Sequence, residues 1–249
     1  MLRTIHDFKS LHLRAKDGDI GHVQEFYFDD ESWVVRYLVA DTGGWLTGRR
    51  VLISPHALKP VNEADHALPV ALSKKQITDS PLTDSDLPVS RQFEAEYQSY
   101  YGWPGNWGAG TESGLSPYFG LGNPLSPTAI DDAAAPPHAH SDPHLRSTRD
   151  VTGHHLSAND GEIGHVTDFL IDDETWKVAF LIVDTNAWWP GKKVLISPKW
   201  ITQIDWGSAT VVVNVTRDQV RAAPDYTPEK TVGSDHEKSL HHHYELRKF

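Results

Sequence analysis

The 249-residue chain contains no cysteine and a single methionine. Disulfides, thiolate metal sites and a cysteine nucleophile are excluded at once. Positive charge is also scarce, with 23 Lys and Arg against 34 Asp and Glu, a net charge of −11. Proteins that bind nucleic acid gather cations on one face to displace counterions from phosphates, so direct nucleic-acid binding is not expected. No apolar run is long enough to cross a bilayer. The one long uncharged stretch, 113–130, is interrupted by Gly114, Pro117, Gly120, Gly122, Pro124 and Pro127. The opening Met1-Leu2-Arg3-Thr4-Ile5-His6-Asp7 carries no apolar leader, and a soluble, cytoplasmic protein that meets membranes only through a partner is expected. Motifs for phosphate loops, nucleophile elbows and zinc proteases are absent. Histidines in the tail (His236, His241, His242, His243) and in the middle of the chain (His138, His140, His144) lack the spacing of a ligand set. No catalytic residue, cofactor or metal is assigned, and the chain does not read as an enzyme.

What is present is a duplication. Residues 2–81 align with 145–224 at a constant offset of 143 and without a gap, and 31 of the 80 paired positions are identical. The densest stretch runs from Asp17-Gly18-Asp19-Ile20-Gly21-His22-Val23 to Val51-Leu52-Ile53-Ser54-Pro55. Its partner runs from Asp160-Gly161-Glu162-Ile163-Gly164-His165-Val166 to Val194-Leu195-Ile196-Ser197-Pro198. Two copies provide an internal control: what both retain is structural, and what only one carries points to individual function. The copies are nearly neutral, at −1 and −2, whereas residues 82–144 hold one basic and eight acidic residues.

Period-two alternation in Val34–Val39 and Lys177–Ile182 marks a half-buried strand. Phe26-Tyr27-Phe28 and Phe169-Leu170-Ile171 form the strand before it, joined by the polar turns Asp29-Asp30-Glu31-Ser32 and Asp172-Asp173-Glu174-Thr175. Those turns lack the spaced oxygen ligands of a calcium loop. Further strands are expected at Val51–Ile53 and Val194–Ile196, and at Leu68–Leu72 and Val211–Val215. Pro69 means that the first of the later pair lies at an edge or begins late. Ser73-Lys74-Lys75-Gln76 and Thr216-Arg217-Asp218-Gln219 fit the capping box and predict a short closing helix in each copy. Many short strands closed by a helical turn indicate a small β-barrel or roll.

The order of these motifs, Asp-Gly-Asp/Glu-Ile-Gly-His-Val, a hairpin ending in Asp41-Thr42 or Asp184-Thr185, then Val-Leu-Ile-Ser-Pro, resembles the PRC-barrel domain. That family is named for the cytoplasmic domain of the photosynthetic reaction-centre H subunit and also occurs in the ribosome maturation factor RimM. The resemblance implies a mainly β fold: two tandem, small antiparallel barrels, each closed by a short helix, at 1–83 and 145–226. It implies a binding or assembly module, and a non-enzymatic adaptor or scaffold for an unidentified protein is the leading expectation. An accessory subunit of a membrane-associated photosynthetic or electron-transfer assembly is the alternative, and a ribosome or RNA-processing accessory the third. Two such barrels are expected to pack about a pseudo-twofold axis, as homodimers do.

The segment 84–144 between them, with seven glycines and eight prolines in residues 82–144, is not expected to form a third domain. It carries one short amphipathic helix, about 90–101, after Ser90 as N-cap. Phe93, Tyr97 and Tyr100 share a face of that helix, followed by Trp103 and Trp107. These aromatics serve either the protein's own packing or a partner. Residues 227–249 form a polar, histidine-containing tail. Other interaction candidates are Trp45 and Trp188, each followed by a basic pair, and His22 and His165 in the repeated Gly-His-Val step. The histidines stand at strand starts, where a local hydrogen-bonding role competes with protonation near neutral pH.

Overall fold

The computed structural model describes residues 1–44, 46, 51–80, 97–103, 144–185 and 189–228. In the first copy the order is β1 (Leu2–Thr4), α1 (Ile5–Ser10), β2 (His12–Ala15), β3 (Gly18–Asp29), β4 (Val35–Asp41), β5 (Val51–Ile53), β6 (Ala67–Pro69) and α2 (Lys74–Thr78). The second copy repeats it as β7 (Leu145–Ser147), α3 (Thr148–Val151), β8 (His155–Ala158), β9 (Gly161–Asp172), β10 (Val178–Asp184) and β11 (Lys193–Ile196). It then adds a hairpin, β12 (Ile201–Asp205) with β13 (Thr210–Val213), before α4 (Arg217–Ala222). Both closing helices carry the capping box read from the sequence. Ser73 and Thr216 accept from the backbone of Gln76 and Gln219, whose side chains bond back.

The strands form two sheets. One runs β5-β4-β3-β2-β6 and the other β11-β10-β9-β8-β13-β12. Most neighbours are antiparallel, but β2–β6 and β8–β13 are parallel. β6 and β13 return beside β2 and β8 in the same direction, so each mainly antiparallel sheet contains one parallel pair. Pro69 sits in β6, the last strand of its sheet. There a missing N–H costs no ladder bond.

The copies exchange their first strands. β1 of the first copy pairs with β9 of the second, Leu2 opposite Asp172. β7 of the second pairs with β3 of the first, Leu145 opposite Asp29. The two registers become identical when 143 is added or subtracted, so a pseudo-twofold relates them. On that axis Val34 bridges Lys177. Val35 N–H donates to the Trp176 carbonyl and Val178 N–H to that of Trp33, both at 2.8 Å. Aromatic packing fills the junction: Phe8 lies 5.2 Å from Phe26 and 5.6 Å from Trp176, and Phe28 lies 5.2 Å from Trp33 and 5.9 Å from Phe169, between ring centroids. All six are buried, and rings of this size dominate the energetics of such a seam. The described residues of 1–79 and 144–228 form one compact unit.

A carboxylate crosses the seam in each direction. Glu25 on β3 is buried and accepts from the Ser147 hydroxyl at the start of α3. Its counterpart Asp168 on β9 accepts from the backbone N–H groups of Ile5 and His6 at the start of α1, and from that of Phe169. Burial pushes the Asp168 carboxyl above its ordinary range, while the bonds from Phe169, His6 and Ile5 pull it back only in part. A carboxyl raised in the folded state favours folding most when protonated. Its contribution is complete below the unfolded value near 4 and fades as pH rises through the folded one. Asp29 and Asp173 are held low and slope the other way. The difference between wild type and Asp168→Asn isolates the term. Urea midpoints measured from pH 4 to 7 should show wild type losing ground to the variant as pH rises. A pH-independent difference would refute the assignment.

Candidate functional site: a groove where the two copies meet

Each copy begins with an arginine that reaches across the seam. Arg3 donates from Nε to Asp173 at 2.8 Å, and Arg146 does the same to Asp30 at 2.9 Å. The second partner differs. Arg3 also pairs with Glu63 of its own copy. The position equivalent to Glu63 is Trp206, and the Arg146 guanidinium lies over its indole, 4.0 Å from the ring centroid. Cation and indole face attract through the ring quadrupole. His144 Nδ1 stands 3.0 Å from the second oxygen of Asp30.

Trp206 and Asp30 border an open groove of about 690 Å³. One wall is the Asp30–Trp33 turn of the first copy. The other comes from the second copy: Lys177–Ala179, the Ser197–Lys199 turn and residues 201–204. Lining positions that are the same in both copies, such as Trp33, Asp30 and Pro198, build the shape. Positions that differ are concentrated on the second-copy wall, where Lys177, Lys199, Gln203 and Trp206 replace Val34, His56, Pro60 and Glu63.

Behind Trp206 lies His154, in the place of the buried Leu11. Its ring meets the indole edge-on at 5.7 Å. It is 6% exposed and its Nε2 has no partner. Burial holds this imidazole below its ordinary value, with neighbouring His155 acting the same way and Asp150 opposing. A neutral ring is therefore the form that supports Trp206 at neutral pH.

The histidines singled out from the sequence lie elsewhere, on an exposed row of each sheet. His22 is opposite His12, their ring centroids 4.6 Å apart, and on its other side is opposite Asp41. His165 is likewise flanked by His155 and Asp184, and His155 Nδ1 is 2.9 Å from Glu162. Gly21 explains why Gly precedes His: a Cβ there would lie 1.8 Å from the Asp41 carbonyl oxygen. The Asp residues after the central strand serve their own turns, as Asp41 accepting from Gly43 N–H shows. So do the Asp-Asp-Glu turns, in which Asp29 accepts from Glu31 and Ser32 and Asp172 from Glu174 and Thr175.

Of the basic pairs, Lys192 is engaged internally, donating to the Arg221 and Ala223 carbonyls and pairing with Asp225. Arg49, Arg50, Trp45, Trp188, Phe93 and Trp107 lie outside the described residues. Residues 97–101 of the expected linker helix are helical. Tyr97 is buried, Tyr101 stacks on Trp103 at 4.4 Å, and Tyr100 is 42% exposed. No group of three metal-binding side chains occurs among the described residues, and none of their helices is long and apolar enough to cross a membrane.

The model of the PRC-barrel domain matches residues 3–77 and again 156–220, more than half of the chain. The chain belongs to the PRC-barrel family. The two matched segments lie one within each copy, and the exchanged strands β1 and β7 knit the copies together. An uncharacterised protein of Deinococcus radiodurans is 30% identical over 77 residues, covering 31% of this chain and 27% of that protein's length. The chain thus spans about a quarter of that relative, the length of one PRC-barrel domain.

Sequence reading missed His154, Arg146 and Trp206. The available signal was the difference between copies. Leu11 against His154 and Glu63 against Trp206 are the kind of change that an internal duplication exposes, once the fold shows that they touch.

Proposed function

We propose that this tandem PRC-barrel protein is a non-enzymatic binding module, with the groove beside Trp206 as the surface that receives a protein partner. The observation behind this reading is the convergence of second-copy substitutions on one wall of that groove. The shared residues keep the barrel. The unshared ones place an aromatic with an apolar face, two lysines and a strand edge around an open space. Trp206 and the Arg146 stacked on it are residue types enriched at protein interfaces.

Trp206→Glu tests it by installing the residue of the first copy. The fold tolerates Glu at this place, because Glu63 already pairs with Arg3 there. Full-length protein and the variant, used as baits in the native lysate, should differ by one or more captured proteins, while far-UV circular dichroism and melting stay alike. Identical capture would remove the groove from consideration. A third bait lacking residues 88–108 reports separately on Tyr100, Trp103 and the aromatics around them.

A further inference from the structure

The groove follows the edge of a strand. Side chains of a strand alternate between its faces, yet Ile201, Thr202, Gln203 and Ile204 all border the groove in succession. Only the edge of β12 offers consecutive residues to one space. On its other side β12 pairs with β13, and β12 is the last strand of its sheet. Among the described residues, no backbone group of Thr202, Gln203 or Ile204 bonds to a strand other than β13. Half of the polar groups along roughly 10–13 Å of strand therefore face the groove unused by the fold. In the first copy Lys59, Pro60 and Val61 stand there; that segment is tied to β6 by Lys59 N–H to the Pro69 carbonyl and at Asn62–Ala67, but it forms no regular strand.

The charges bordering this edge are unequal in how they are satisfied. Asp30 is held by Arg146 and His144, Glu31 lies 3.6 Å from His144, and Asp172 accepts two backbone N–H groups of its own turn. Lys177 and Lys199 are exposed, and neither ammonium group has an acidic partner among the described residues. Val34 and His56 occupy these places in the first copy, so both fixed cations are specific to this groove. Both ammonium groups without an acidic partner therefore lie on one wall of the groove, although the chain as a whole is acidic.

We propose that β12 receives an extended acidic segment of a partner protein by strand addition. Partner main-chain groups complete the free edge, carboxylates meet Lys177 and Lys199, and an apolar side chain lies against Ile204 and the Trp206 ring. Main-chain bonding supplies affinity in such pairings, and side-chain pockets supply specificity. The inference rests on the docking role of the groove. A polynucleotide is the poorer occupant, because two cations release few counterions and its backbone has no use for a strand edge.

The test uses the full chain and two fluorescein-labelled nine-residue peptides, one alternating Val with Glu and one alternating Val with Lys, read by fluorescence anisotropy. The Glu peptide should bind at least about tenfold more tightly, since a difference of one factor of ten needs only about 1.4 kcal/mol. Lys177→Glu/Lys199→Glu should abolish that preference, and added salt should narrow it. Ile204→Pro, which removes the N–H that the alternation of the ladder turns away from β13, should weaken both peptides while the melting curve stays in place. Equal binding of both peptides, lost in Ile204→Pro, would overturn the acidic preference and leave the strand edge. Absence of binding to millimolar concentration, a preference for Lys, or binding untouched by the charge reversals would overturn the proposal. In that case the Trp206→Glu capture still decides the broader docking role by itself.

Discussion

Residues 144–228 expressed without the first copy will form a twofold dimer and not a folded monomer. Alone, this copy lacks β1, the partner of β9 at Leu170–Asp172. It lacks Phe8 and Phe26, which pack on Trp176. It also lacks the α1 backbone N–H groups that Asp168 accepts from, leaving a buried carboxylate with fewer donors. Truncating a large buried aromatic contact usually costs about 3–5 kcal/mol, and here several are withdrawn together. A typical domain has only about 5–15 kcal/mol to lose. A second molecule of the same fragment can supply the missing parts, because β7 stands to the second copy as β1 stands to the first. Light scattering should give twice the monomer mass, and the melting midpoint should rise with concentration. One contact will be poorer than in the intact chain, since Val151 occupies the place of Phe8. Val151→Phe should therefore tighten the dimer by about tenfold, in line with the extra apolar area buried. A monomer that unfolds cooperatively at a concentration-independent midpoint would show that the seam is not needed for folding.

The same seam marks where sequence reading stops. The hairpins, the third strand and both closing helices were legible because their signals are local: period-two alternation, an Asx turn, Ser or Thr three residues before Gln. β1 and α1 were not. Leu2–Thr4 is too short to show a period, and the strand it pairs with lies about 170 residues away. β3 was read only from Phe26, whereas it starts at Gly18. Gly21 and the register shifts around it hide twelve residues of continuous strand.

The groove was harder still. Asp30, Lys177, Lys199 and Trp206 are scattered across the chain, and each is unremarked by itself. The repeat alignment held the information as a list of differences, but only folding shows that those differences share a wall. The family match explains the shared residues and is silent on the unshared ones. Proposals about individual function for that reason rest on the second copy's departures from the first.

The repeated Gly-His step gives the largest single-residue effect. Gly21 has a φ of +120°, and an added Cβ would sit 1.8 Å from the Asp41 carbonyl oxygen and 3.0 Å from the Thr42 Cα. Those are backbone atoms of the neighbouring strand, so no side chain can rotate away to make room. β3 and β4 would have to separate at His22–Asp41 and Val23–Ala40, where the ladder holds the middle of the sheet. Gly43 is the control. It also has a positive φ, +57°, but a Cβ there meets nothing within 4 Å. Gly43→Ala bears only the cost of a left-handed residue, about 1–2 kcal/mol. Gly21→Ala bears a comparable conformational cost and the clash together, and should lose more than about 3 kcal/mol. Urea denaturation of the two variants side by side measures the difference directly. Because Gly164 repeats the geometry, with Cβ 2.0 Å from the Asp184 oxygen, Gly164→Ala should be as damaging as Gly21→Ala. If both were as mild as Gly43→Ala, the close approach of the strands would not be what fixes glycine before histidine, and the histidine row itself would become the reason both copies keep the step.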